Sequence, residues 1–138
     1  MEPVTAVGLV ASIVQLIDAT AKVIKYVSEV KDAPKERETL SLEAANLMPL
    51  LMALKQRVDT ASGNDPWFLS VYSLGVVGGP IPLLQAAMEA LSVRLKSGKK
   101  KLRRHLSWPS DKKDCIATLA RIERMKSLIG LALQDDHL

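Results

Sequence analysis

Aromatic residues, histidine and cysteine are all scarce in this chain of 138 residues, and each scarcity removes a class of chemistry. Only five aromatics occur (Tyr26, Trp67, Phe68, Tyr72 and Trp108), so any core must be built from Leu, Val, Ile, Ala and Met. That set suits helix packed on helix. A lone Cys115 cannot close an internal disulfide, and a reducing, cytoplasmic setting is expected. The two histidines, His105 and His137, form no nucleophile–base pair at any suggestive spacing. There is no H-E-x-x-H and no cysteine cluster, so no metal ligand is expected. Carboxylates are scattered as solvated charges usually are. We therefore expect no catalytic residue, no cofactor and no enzyme. No stretch alternates apolar and polar residues with period two over a useful length, which argues against a sheet.

Charge is unevenly spread. Residues 1–93 carry seven Lys/Arg against ten Asp/Glu, 7 − 10 = −3, and residues 94–138 carry twelve against five, 12 − 5 = +7. Arg94 to Lys113 alone holds nine Lys/Arg and one Asp. Such a basic half suggests an anionic partner, lipid headgroups or nucleic acid. Around Lys99, Lys100, Lys101, Arg103 and Arg104, the apolar Leu102, Leu106 and Trp108 interleave with the cations. That mixture suits a membrane interface, where tryptophan sits at headgroup depth. Nucleic acid is set aside: one aromatic lies near the run, and no recognition-helix signature accompanies it.

The stretch from Val4 to Val30 organises the rest. No charge occurs between Glu2 and Asp18, and ten of the fourteen residues from Val4 to Ile17 are apolar. Leu9, Ile13, Leu16, Thr20, Val23, Val27 and Val30 fall on one helical stripe, with Val10, Val14, Ile17, Ala21 and Ile24 beside it. Gln15, Asp18, Lys22, Lys25 and Glu29 make a narrow polar row. A helix apolar almost all round is either the buried centre of a bundle or a membrane-seeking segment. Spanning a bilayer takes roughly 20 consecutive apolar residues, more than Pro3–Ile17 supplies. Glu2 excludes myristoylation, and the acidic start is wrong for a secretory signal.

A second helix is predicted from an Asp32 cap, with Pro34 in its first turn and Leu40, Ala44, Leu47, Leu51, Leu54 and Val58 facing inward. Pro49 should bend it. Residues 61–66 read as a loop, and Trp67–Leu74 as a turn or two of helix covering one end of the bundle. Glycines and Pro80 then break the chain; no phosphate-binding glycine motif is present. A third long helix follows, with Ile81, Leu84, Met88, Leu91 and Leu95 inward and a stop at Gly98. The last helix should be capped among Ser107, Ser110 and Asp111, carrying Ile116, Leu119, Ile122, Met125, Ile129 and Leu133 inward. The expected fold is a single all-α domain over residues 1–138, an antiparallel four-helix bundle with one or two short extra helices.

Laid out in this way, the chain resembles the HeLo-like N-terminal domain of fungal STAND proteins (NACHT-type, NLR-like receptors) and related cell-death executioners. The resemblance lies in the apolar first helix leading into VIKYVSEVKDAPKERETLSLE, in GPIPLLQAAMEALSVRL, and in LSWPSDKKDCIATLARIERMKSLIGLALQDD. It implies a HeLo-like bundle, similar also to that of the mixed-lineage kinase-like pseudokinase, forming the N-terminal part of a larger receptor. It further implies a cytoplasmic domain that oligomerises with its own kind, moves to anionic lipids of the plasma membrane and permeabilises them. In this chain insertion would fall to Val4, Val7, Leu9, Val10, Ile13, Val14, Leu16 and Ile17, and headgroup binding to Lys99, Lys100, Lys101, Arg103, Arg104 and Trp108. The rival expectation is a soluble module whose helix faces recruit a signalling protein.

Overall fold

The structure, a computed structural model, describes residues 4–28, 35–61, 65–99 and 104–135, and among them there is no strand. Four long helices carry the fold: α1 (Val4–Ser28), α2 (Lys35–Thr60), α4 (Pro80–Lys99) and α5 (Arg104–Asp135). Between α2 and α4 lie the short α3 (Pro66–Val71) and a 3-10 turn, Tyr72–Gly75. Helix α1 packs against α2 and α4, and α5 packs against the same two, so the long helices close a ring around one apolar core.

The core residues are those that helical periodicity brings to one face. Leu9, Ile13, Leu16, Val23 and Val27 of α1 are buried, as are all six expected inward positions of α2 from Leu40 to Val58. Ile81, Leu84, Met88 and Leu91 supply the α4 face. Pro49 lies inside α2, and the helix continues through it. The backbone bond it forfeits is the one Ala45 would accept, and both residues are exposed, so that carbonyl is open to water. Val30, Asp32 and Pro34 lie outside the described residues.

The α5 face differs from the expected one. Ile116 is 51% exposed, and the buried positions are Cys115, Thr118, Ile122, Met125, Ile129 and Ala132. These keep the alternating three–four step, one residue out of phase with the strongly apolar residues at its beginning. Leu119 and Leu133 pack half-buried beside the row. The helix boundaries also move: α4 runs past Gly98 to Lys99, and α5 starts at Arg104 and includes Trp108 and Pro109.

One end is closed by the short aromatic segment. Trp67, Phe68 and Val71 are buried. Asp65 caps α3: one of its carboxylate oxygens accepts the Trp67 backbone N–H at 2.9 Å, and the other meets Arg57 of α2 at 3.1 Å. The Arg57 guanidinium lies 4.3 Å from the Trp67 ring, and the indole Nε1–H donates to the Ala132 carbonyl at 2.7 Å. One carboxylate and one indole thus join α2, α3 and α5. The chain then reverses at Val76–Gly79, where the Gly79 N–H donates to the Val76 carbonyl at 2.7 Å. Gly78 sits at φ +81°, a backbone position that glycine adopts without the cost an L side chain would meet.

Candidate functional site

The structure divides the α1 residues singled out for membrane insertion into two groups. Leu9, Ile13 and Leu16 are buried, and Val10 and Ile17 are half-buried against the core. Val7 and Val14 point outward, 70% and 43% exposed. The Val4 side chain lies outside the described residues. The 21 residues from Val7 to Val27 include an 18-residue stretch with a mean hydropathy of 1.7, long and apolar enough to cross a membrane by length and composition. Asp18, Lys22 and Lys25 fall between Val7 and Val27, and core helices of soluble proteins meet the same description. Residues 66–94 are also apolar enough, but the 3-10 turn Tyr72–Gly75 and the reversal at Val76–Gly79 divide them into separate helices.

Two polar contacts fix α1 against its neighbours. Ser12 reaches the Gly75 carbonyl at 3.5 Å, and a Cβ placed on Gly75 would lie 3.5 Å from the Leu9 Cα. The beginning of α1 is therefore seated beside the turn that leads into α4. Farther along, the buried Thr20 hydroxyl donates to the Leu16 carbonyl at 2.7 Å, with the Met88 sulfur 3.2 Å away. A hydroxyl bonded to its own helix carries no unmet polar demand into the core.

The expected headgroup cluster falls largely outside what is described. Lys100, Lys101 and Arg103 are not among the described residues, nor are the side chains of Lys99, Arg104 and Trp108. The backbone does place Lys99 at the end of α4 and Arg104 at the start of α5. A helix of 20 residues is about 30 Å long. The end of α4 that carries Lys99 is thus about 30 Å from Pro80 and the neighbouring start of α1. Lys99 is therefore not brought to the start of α1.

Sequence reading missed a pair of cations that the fold does place near the start of α4. Arg121 and Arg124 of α5 border a hollow of about 250 Å³, whose apolar floor includes Leu83, Leu84, Met125 and Leu128. Gly78 and Pro80 form its end wall. A second hollow of about 210 Å³ continues along the α4–α5 groove and shares Arg121. Farther up the groove Arg94 is paired with Asp114. No ion pair joins Arg121 or Arg124 to an acid among the described residues. At the adjoining turn Val77 is 101% exposed and Val76 42%, with Leu83 49% exposed on the hollow's rim. The signal available in sequence was the spacing of Arg121 and Arg124, three apart within one helix.

Across α2 and α5, the Lys126 ammonium lies 2.5 Å from Glu43 and 3.3 Å from Glu123. The hydrogen bond from Lys126 holds the Glu43 carboxyl below its ordinary value of 4.5, and Glu43 in turn raises Lys126 above 10.5. This is a structural tie between helices. No group of three or more His, Cys, Asp or Glu among the described residues is placed to hold a metal ion. In comparisons with known proteins, no family model matches this chain, and no curated protein or solved structure matches it.

Proposed function

We propose that this chain is a membrane-targeting, pore-forming effector domain of a fungal NLR-like cell-death system. In this reading it is held inactive as a soluble cytoplasmic bundle and moves to the plasma membrane when oligomerised. The observation that carries the reading is the state of α1. Its uncharged first half buries Leu9, Ile13 and Leu16 in the core while presenting Val7 and Val14 to solvent. A segment so apolar is costly to expose in water, whereas in lipid its side chains and its internally bonded backbone would both be satisfied. The packed bundle stores it and release would deliver it, several copies together thinning or breaching the bilayer.

The antiparallel, HeLo-like arrangement belongs to the same reading. For the consecutive pair α4 and α5 it is supported by opposite running sense, since Arg94 pairs with Asp114 and Leu83 shares a hollow with Arg124. Helix α1 runs parallel to α4, with Ser12 beside Gly75 and Thr20 beside Met88. Lys99–Arg104 supplies long-range attraction to anionic lipid, and downstream domains of a larger receptor supply oligomerisation.

The test is dye release from liposomes containing phosphatidylserine. The chain fused to an inducible oligomerisation module should release dye only after induction. Folded, oligomerised protein that sediments with the vesicles yet releases nothing, or that ignores them altogether, would favour the protein-recruiting module instead.

A further inference from the structure

We infer that the domain seats on an anionic bilayer through one pole, with Val76 and Val77 entering the interface and Arg121 and Arg124 holding lipid headgroups. This rests on the membrane reading above and specifies its contact surface. Three features converge on this pole. Val77 is fully exposed at the tip of a tight turn, beside Val76 and near Leu83. A protruding apolar turn has little to gain in water and enters a headgroup layer readily.

Arg121 and Arg124 stand over the hollow whose end wall is the next residue of that turn, Gly78. The nearby acids are committed elsewhere: Glu123 to Lys126 and Asp114 to Arg94. Two guanidiniums beside an apolar floor match a phosphate-bearing headgroup above acyl chain.

The third feature is orientation. Leu9 and Ser12 meet Gly75, one residue before Val76, so the start of α1 shares this pole. Docking here brings the inserting segment to the lipid surface. Docking through the end of α4 would hold it about 30 Å away. The valine–arginine pole is therefore the one that seats the domain.

The experiment places a fluorophore sensitive to polarity on Val77→Cys or, separately, on Glu38→Cys, in a Cys115→Ala chain verified as folded by circular dichroism. Glu38 is exposed in the first turn of α2, 22 residues before the end of that helix at Thr60, which leads to the α3 pole. With phosphatidylserine vesicles the label at 77 should shift to the blue and the label at 38 should not. In the unlabelled chain, Arg121→Gln with Arg124→Gln should weaken vesicle binding roughly 30-fold, at about a factor of five for each arginine near the surface. Bound protein with the label at 38 shifted and that at 77 still aqueous overturns this pole while leaving membrane action standing. Unchanged affinity of the double arginine variant overturns the headgroup assignment. A parent chain that binds no vesicle and instead captures an acidic helix in the groove overturns both this inference and the membrane reading.

Discussion

Replacing Leu16 with alanine should loosen α1 without touching the residues that would enter a membrane first. Leu16 is completely buried on the helix that packs against both α2 and α4. Removing a leucine side chain from such a site costs about 3 kcal/mol, transfer and cavity contributions together. A domain of this length has a total stability of roughly 7 kcal/mol at about 0.05 kcal/mol per residue. The variant should therefore stay folded, with its unfolded fraction raised roughly 100-fold. In urea, at a slope of about 1.5 kcal/mol per molar, the midpoint should fall by about 2 M. Val14→Ala provides the internal control. It lies two residues away on the same helix but is 43% exposed, so it should cost less than about 1 kcal/mol. If α1 must leave the bundle to act, Leu16→Ala should also release liposome dye faster than the parent at equal oligomer concentration. Equal costs for the two substitutions would refute the packing argument. An unfolding shift without faster leakage would refute the coupling between α1 release and permeabilisation.

The remaining structural predictions concern polar groups in and between the helices. Thr20→Val keeps volume and leaves the Leu16 carbonyl its helical N–H, so stability should change by less than about 1 kcal/mol. Thr20→Ala, which leaves a void beside Met88, should cost about 1 to 1.5 kcal/mol; thermal melts of the two distinguish packing from hydrogen bonding. The Glu43 carboxyl, lowered in the fold, stabilises above its ordinary 4.5 and loses that contribution as pH falls through its depressed folded value. Lys126, raised in the fold, contributes below 10.5 and loses its contribution as pH rises through its higher folded value. Glu43→Gln should flatten the acid limb of a stability–pH curve measured by urea titration; an unchanged limb would place the acid sensitivity elsewhere.

Three of the four long helix faces were legible from spacing alone. In α1, α2 and α4 the buried residues are Leu, Ile, Val, Ala and Met, with Thr20 and Ser92 the exceptions among the described residues, so hydrophobicity and geometry largely agree. In α5 they part. Its row begins with Cys115 and Thr118 and ends with Ala132, while Ile116 offered a stronger apolar signal on the wrong side. Small and weakly polar side chains fit where neighbouring helices crowd, a property of the assembled bundle that one helix in isolation does not reveal. The ends of α4 and α5 were misplaced as well. Gly98 and Pro109 are local stop signals, and both helices run through them. Of the candidate site, the burial of Leu9, Ile13 and Leu16 was readable. The distance between the α1 start and Lys99, and the pairing of Arg121 and Arg124 with an exposed valine turn, depend on how the helices come together.

The central claim, that the first turns of α1 are what breaches a membrane, is tested most directly by removing Met1–Gly8 and measuring dye release. Val7 and Gly8 are exposed and the described core begins at Leu9, so the shortened chain should keep its helical circular dichroism and its urea midpoint. It should still sediment with phosphatidylserine vesicles, through the Val76–Val77 pole, but release no dye when oligomerised. A folded truncation that binds vesicles and leaks as fast as the parent would contradict the account.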